Sequence, residues 1–269
     1  MIRIYGFDFT SAPTRRKAIT RAACWLEGDS LHFERLERLP DWSSFEATLH
    51  EPGAWVAGFD FPFGQPRQLL TALGWPLDWP AYVRLVGAMP PRTFEDTLNA
   101  YRAPRPYGDK QHLRRTDALV RAASPMMLYG TPVAKMFQQG APRLLAAGLN
   151  ILPGRPNGDS RVALEVYPGL AARRFLGRVP YKNDDPRKQT PDQRAARQRL
   201  LDAPFAAVYG LRLTGLHEPA LLDDPSGDSL DALLAALSAA HAARQPDYGL
   251  PPDADAVEGW IAGIPPALA

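Results

Sequence analysis

Cysteine is all but missing: Cys24 is the one cysteine in 269 residues, so no disulfide can form within the chain. Long apolar runs are missing too, and none approaches the roughly 18 residues that a membrane span requires. The chain opens Met-Ile-Arg-Ile-Tyr-Gly-Phe-Asp, which reads as a strand from its first residues and lacks the basic-then-apolar pattern of a signal peptide. Together these absences lead to the expectation of a cytoplasmic protein. Histidine is sparse, and His32, His50, His112, His217 and His241 are scattered without the spacing that zinc ligands show. No Gly-x-Ser-x-Gly nucleophile elbow occurs, and no glycine-rich loop is present to cradle phosphates. There is no internal repeat and no low-complexity tract. Neither sign of charge dominates, since the net charge is +2 with 22% charged residues, so the placement of charge matters more than its sum.

What the chain does have is a core and many prolines. Hydrophobic residues make up 45%, ordinary for a globular fold. Much of the proline falls between Pro62 and Pro156, where helices must be short or repeatedly restarted. Ile2–Phe9, Ala18–Leu26, Ser30–Leu39, Ala54–Phe61 and Arg161–Tyr167 read as five strands, with the turn Glu27-Gly28-Asp29 joining the second to the third. Asp41 or Ser43 caps a short helix carrying Trp42, Phe45 and Leu49. Helices are expected near Trp79–Val86, Leu113–Ala123 and Pro132–Gly148, then over Gly169–Leu176, Gln193–Leu201 and Ser229–Arg244. The C-terminal stretch from Gln245 is rich in Pro, Asp and Gly, with Trp260 and Ile261 as its expected docking point. The order predicts a meander feeding a mixed sheet covered by helices. The expectation is one α/β domain over residues 1–269, with a helical insertion at 62–160 between the fourth and fifth strands.

Three acids stand near strand ends in apolar surroundings. Asp8 lies in Gly-Phe-Asp-Phe-Thr-Ser, Asp60 in Gly-Phe-Asp-Phe-Pro-Phe-Gly, and Glu165 in Leu-Glu-Val-Tyr-Pro-Gly. An unpaired carboxylate in such surroundings costs several kcal/mol. Each acid taken singly can cap a loop or pair with an arginine. The three together favour a shared site, and hard cations such as Mg²⁺ take carboxylate oxygens as ligands. A fourth contribution comes from Gly227-Asp-Ser-Leu-Asp-Ala-Leu-Leu. There Leu230, Leu233, Leu234 and Leu237 mark one helical stripe, and Asp228 and Asp231 share the first turn. Asp228 there also complements the helix dipole, whereas Asp231 lies beside the apolar stripe.

These motifs, with Tyr181-Lys182 between them, resemble a bacterial and archaeal domain-of-unknown-function family of predicted nucleases with the RNase H fold. The resemblance runs from residue 1 to about 245. The Asp-x-x-Asp-Ala helix is also distantly similar to that of Holliday-junction resolvases. The resemblance implies an RNase H-like sheet and a metal set of Asp8, Asp60, Glu165 and Asp231, with Asp228 either a secondary ligand or a group that supports the ligands from behind. It further implies two-metal phosphodiester hydrolysis with Mg²⁺ or Mn²⁺, the ions about 4 Å apart, and Lys182 over the phosphate as a point charge.

Basic residues point the same way. Residues 173–199 carry nine basic side chains (Arg173, Arg174, Arg178, Lys182, Arg187, Lys188, Arg194, Arg197 and Arg199) against three acidic ones. The 62–160 segment adds Arg92, Arg102, Arg105, Lys110, Arg114, Arg115 and Arg121, interleaved with Phe94, Tyr101 and Tyr107. Clustered cations suit phosphates and aromatics suit bases, so a nucleic-acid partner is expected. The alternative for such runs is a solvated face. Two other function classes compete. One is a phosphoryl-transfer enzyme of the actin and sugar-kinase type, against which Phe9 stands where a glycine is needed. The other is a non-catalytic binding module, which has no need of the acids.

Overall fold

β1 (Ile2–Asp8) is the middle strand of a seven-stranded mixed sheet in the computed structural model, which describes all residues except 203–205, 208–209, 215–216 and 264–269. β2 (Ile19–Glu27) pairs antiparallel with β1, and β3 (Ser30–Leu39) antiparallel with β2. On the other flank β4 (Trp55–Phe59), β6 (Arg161–Glu165) and the short edge strand β5 (Asn150–Leu152) run parallel to β1. β7 (Leu211–Arg212) lies parallel to β3 and gives the order β5-β6-β4-β1-β2-β3-β7. The sheet therefore has seven strands where five are expected. The two extra ones span three and two residues, too short to leave a periodicity in the sequence.

Ten α-helices flank the sheet among the described residues. α1 (Trp42–Leu49) is capped by Asp41, whose side chain accepts from Ser44 N–H at 2.8 Å. Between β4 and β6 lie α2 (Arg67–Ala72), α3 (Trp79–Gly87), α4 (Pro91–Arg102), α5 (Arg115–Val120) and α6 (Val133–Ala146), together with β5. α7 (Pro168–Leu176), α8 (Pro191–Leu201), α9 (Glu218–Leu222) and α10 (Asp228–Ala243) complete the set. Proline starts several of these helices, because a residue with fixed φ and no N–H belongs in the first turn. No helix among the described residues is long and apolar enough to cross a membrane.

Each face of the sheet has its own core. Tyr5, Phe7, Phe9, Trp55, Phe59 and Phe61 pack with the helices of the 62–160 segment, and the Phe7 and Phe59 rings stack at 4.5 Å. Ile4, Val56, Val162 and Leu164 pack on the opposite face against α7, α8 and α10. α10 is apolar nearly all round, and fourteen of its sixteen residues are buried, as befits a central helix. Trp260 and Ile261 are buried and dock the C-terminal stretch on β6, where Ala262 N–H donates to the Glu165 carbonyl at 2.8 Å.

Candidate metal centre

The twin Gly-Phe-Asp segments build the site through strand register. β1 and β4 align Gly6 with Gly58 and Phe7 with Phe59, so Asp8 and Asp60 follow side by side. Side chains alternate along a strand, so the phenylalanines enter one core while the glycines and aspartates share the other face. On that face the backbone of α10 lies directly over Gly6 and Gly58. A methyl group at Gly6 would collide with the backbone of Ala232 and Ala236, and one at Gly58 with Ala235 O and Val166. Two missing side chains thus let α10 settle close enough to bring Asp231 to the strand aspartates. One oxygen from each of Asp8, Asp60 and Asp231 lies within 4.8 Å of the others, a spacing that one cation can share.

The electrostatics are those of an undercompensated anionic cluster. Asp8 is 8% exposed and Asp231 1%, while Asp60 is partly buried. Asp231 accepts from Tyr181 Oη at 2.6 Å and forms an ion pair with Lys182 Nζ. Neither Asp8 nor Asp60 has a side-chain hydrogen bond or ion pair among the described residues. Burial, followed by repulsion from Asp231, holds the Asp8 carboxyl well above the usual range. The same two causes push Asp60 up to about 7. Lys182 is held charged, because its attraction to Asp231 and Asp8 outweighs its burial. Its segment is fixed by α8: Arg197 donates to the Tyr181 carbonyl at 2.7 Å and to Leu222 O at 2.8 Å, and Gln193 to the Lys182 carbonyl at 3.3 Å. Gly227, at φ 76°, lies against the Lys182 methylenes, which a side chain there would strike.

Glu165 departs from the expected ligand set. It is in register with Phe59, one step before Asp60, and one step turns a side chain to the other face. There Arg114 grips it in a two-pronged pair, Nη1 to Oε2 at 2.8 Å and Nη2 to Oε1 at 2.5 Å, and Phe63 N–H donates at 2.8 Å. Arg114 also binds Asp117 and the Glu258 carbonyl, so this buried network ties the 62–160 segment and the C-terminal stretch to the sheet. Asp228 is likewise engaged elsewhere, pairing with Lys17 at 2.9 Å. Lys182 stands on a carboxylate of the triad, not beyond it.

The basic residues divide. Arg197 is 3% exposed and spends its guanidinium on backbone carbonyls, so it belongs to the interior and not to a phosphate-binding face. Arg173 is half-buried and donates to Val120 O. Arg174 is also half-buried. Arg178, Arg187, Lys188 and Arg194 are exposed, the last three beside Asp185 or Asp223. Of the interleaved aromatics, Phe94 and Tyr101 are core residues and Tyr107 is fully exposed. A cleft of about 390 Å³ opens beside the triad, lined by Asp60, Asp231, Tyr181 and Lys182 and by residues of the 62–160 segment. The arginines of 173–199 do not line it.

Tyr181, Lys17 and Arg114 go unread as site residues in the sequence. The glycine two places before each strand aspartate is the signal that was there to find, since it marks where α10 must approach.

A mixed α/β sheet crossed by a buried helix, with three aspartates gathered where they meet, is the class that fold and site define. The chain matches the family described as "Protein of unknown function (DUF429)" over residues 6–256, and it belongs to that family. No curated protein and no solved structure matches it.

Proposed function

We propose that this chain is a metal-dependent nuclease of RNase H-like fold, with Asp8, Asp60 and Asp231 holding Mg²⁺ or Mn²⁺. The observation that carries the proposal is Asp8: a carboxylate nine-tenths buried, without hydrogen bond or ion pair, facing two more carboxylates within 4.8 Å. Burial of a charge is tolerated when a counter-ion is supplied, and Lys182 pairs with Asp231 but with neither Asp8 nor Asp60. The donors are all hard oxygens, which suits Mg²⁺ or Mn²⁺ over softer ions. Bound there, the metal would stabilise charge on a phosphate and acidify a water molecule. Asp8 and Asp60 would be direct ligands. Tyr181 and Lys182 would orient Asp231, and Lys182, once displaced by metal, would be free to meet a phosphate oxygen.

The antiparallel meander β1–β3, continued beyond β1 by the parallel strands β4 and β6 with acids at their ends, supports the RNase H-like reading. The two short strands extend it at its edges. The exposed Arg178, Arg187, Lys188 and Arg194 support a nucleic-acid partner. Surface ion pairs such as Arg194–Asp223 are worth little, so these cations can trade carboxylates for phosphates.

The test is hydrolysis of single-stranded, duplex, hybrid and branched nucleic acids with Mg²⁺ or Mn²⁺. Cleavage of at least one substrate is expected, falling by orders of magnitude in Asp8→Asn with the circular dichroism spectrum unchanged. A pure wild-type protein that cleaves none of them contradicts the proposal.

A further inference from the structure

The cleft beside the triad is lined by two unlike kinds of side chain: Asp60, Asp231 and Lys182, and the apolar Phe61, Pro62, Met127, Val133 and Met136. Its lining includes two cations, Arg114 and Lys182, and both are already ion-paired. The exposed arginines and lysine of 178–194 lie outside it. A double helix reads as a row of phosphates and asks for a row of cations; this lining can give at most Lys182, once metal displaces it from Asp231. At about 390 Å³ the cleft falls at the small end of the range for small-molecule sites. Methionine side chains adapt to flat polarisable groups. α7 also begins at this cleft, with Tyr167 and Gly169 in the lining and no side chain capping its first turn. Pro168 has no N–H and Leu170 N–H is bonded to the Tyr167 carbonyl at 2.9 Å, so Gly169 N–H is the first-turn donor that favours an anion there. Next to the cleft stands Asp8, buried and without hydrogen bond or ion pair among the described residues.

We infer that the cleft accepts one unstacked nucleotide, its base against the Phe61–Met127–Met136 wall and its phosphate between the triad and the start of α7. The inference rests on the nuclease reading and narrows it: the substrate is an unpaired strand or a free nucleotide. Paired bases must leave the helix to enter such a pocket.

Binding to the full-length protein loaded with Mn²⁺ tests this, using adenosine 5′-monophosphate, inorganic phosphate, a single-stranded oligonucleotide and its blunt duplex as probes. The monophosphate should bind at least about tenfold tighter than inorganic phosphate, as stacking of one base on a protein wall provides. The single strand should exceed the duplex by a similar factor. A strand tighter than the monophosphate identifies a strand site, and the reverse order a nucleotide site. Ala123 lines the cleft yet is exposed, so Ala123→Trp fills the space without burdening the core. It should weaken monophosphate and strand about tenfold and leave Mn²⁺ affinity unchanged. If Mn²⁺ binds but the monophosphate is no better than phosphate, the duplex equals the strand, or Ala123→Trp has no effect, the inference is overturned and the metal centre stands. If wild type fails to bind Mn²⁺, the nuclease reading falls and this inference with it.

Discussion

Asp60 is caught between two demands: ionised, it would serve as the proposed metal ligand; buried beside Asp231, it prefers to keep its proton. Its pKa near 7 lies above the value of about 3.9 that an aspartate has in an unfolded chain. The folded state therefore binds more protons than the unfolded one between roughly pH 4 and 7. The stability this group contributes is full below the unfolded value and is lost as pH rises through the folded one. Asp8, raised by the same causes, acts in the same direction. In a chelator, the melting temperature should therefore fall from pH 5 to pH 8. Asp60→Asn should flatten that slope and raise the pH 8 melting temperature by about 3–8 °C, given about 2–4 °C per kcal/mol for chains of this size. A melting temperature that climbs over the same interval would contradict the assignment. Arg114 makes the opposite case. Arg114→Met strands Glu165 and Asp117 without their counter-ion and should cost about 3–5 kcal/mol, measured by denaturant unfolding. Equal stability of the variant would mean that the buried pair does not hold the segment in place.

Elements, not isolated residues, assemble the triad. Gly58→Ala places a methyl against Ala235 O and Val166, which should cost about 1–3 kcal/mol as overpacking does. It should also lift α10 and weaken Mn²⁺ binding about tenfold or more, assuming a loss near 1.4 kcal/mol. Calorimetric titration beside thermal melting separates the two effects, and a destabilised variant with intact Mn²⁺ affinity would show that helix approach does not set the site. The same elements explain which features the sequence displays. Long strands with β-branched and aromatic residues, and the leucine-striped helix, are readable because periodicity records which face they bury. Asp8, Asp60 and Asp231 stand out because an acid in apolar surroundings breaks that periodicity. Glu165 looks identical to them in sequence, and only the β4–β6 register reveals that it faces Arg114. Arg197 reads as a surface cation because its partners Tyr181 and Leu222 lie 16 and 25 residues away, and Arg114 because Asp117, three residues on, does not by itself mark a buried pair; Glu165, 51 residues away, does.

At the scale of the whole molecule, a net charge of +2 hides a division. Three aspartates meet at one centre, two of them buried, while Arg178, Arg187, Lys188 and Arg194 are exposed. Nucleic-acid affinity should therefore fall with salt, each phosphate contact adding roughly 0.7–0.9 to the log–log slope. Replacing Arg187 and Lys188 together by glutamine should reduce that slope by about 1.5 in anisotropy titrations, and an unchanged slope would remove them from the interface. Metal should bind the folded chain alone and stabilise it, by about 2.7 kcal/mol at a hundred times its dissociation constant. Asp8, Asp60 and Asp231 are proposed to form a metal site, with Lys182 paired to Asp231 while no metal is bound. An anomalous difference map from crystals soaked in Mn²⁺ tests it most directly. A peak enclosed by those three carboxylates is expected, with Lys182 moved off Asp231. A map with no peak there, and Lys182 still paired to Asp231 at saturating Mn²⁺, would contradict it.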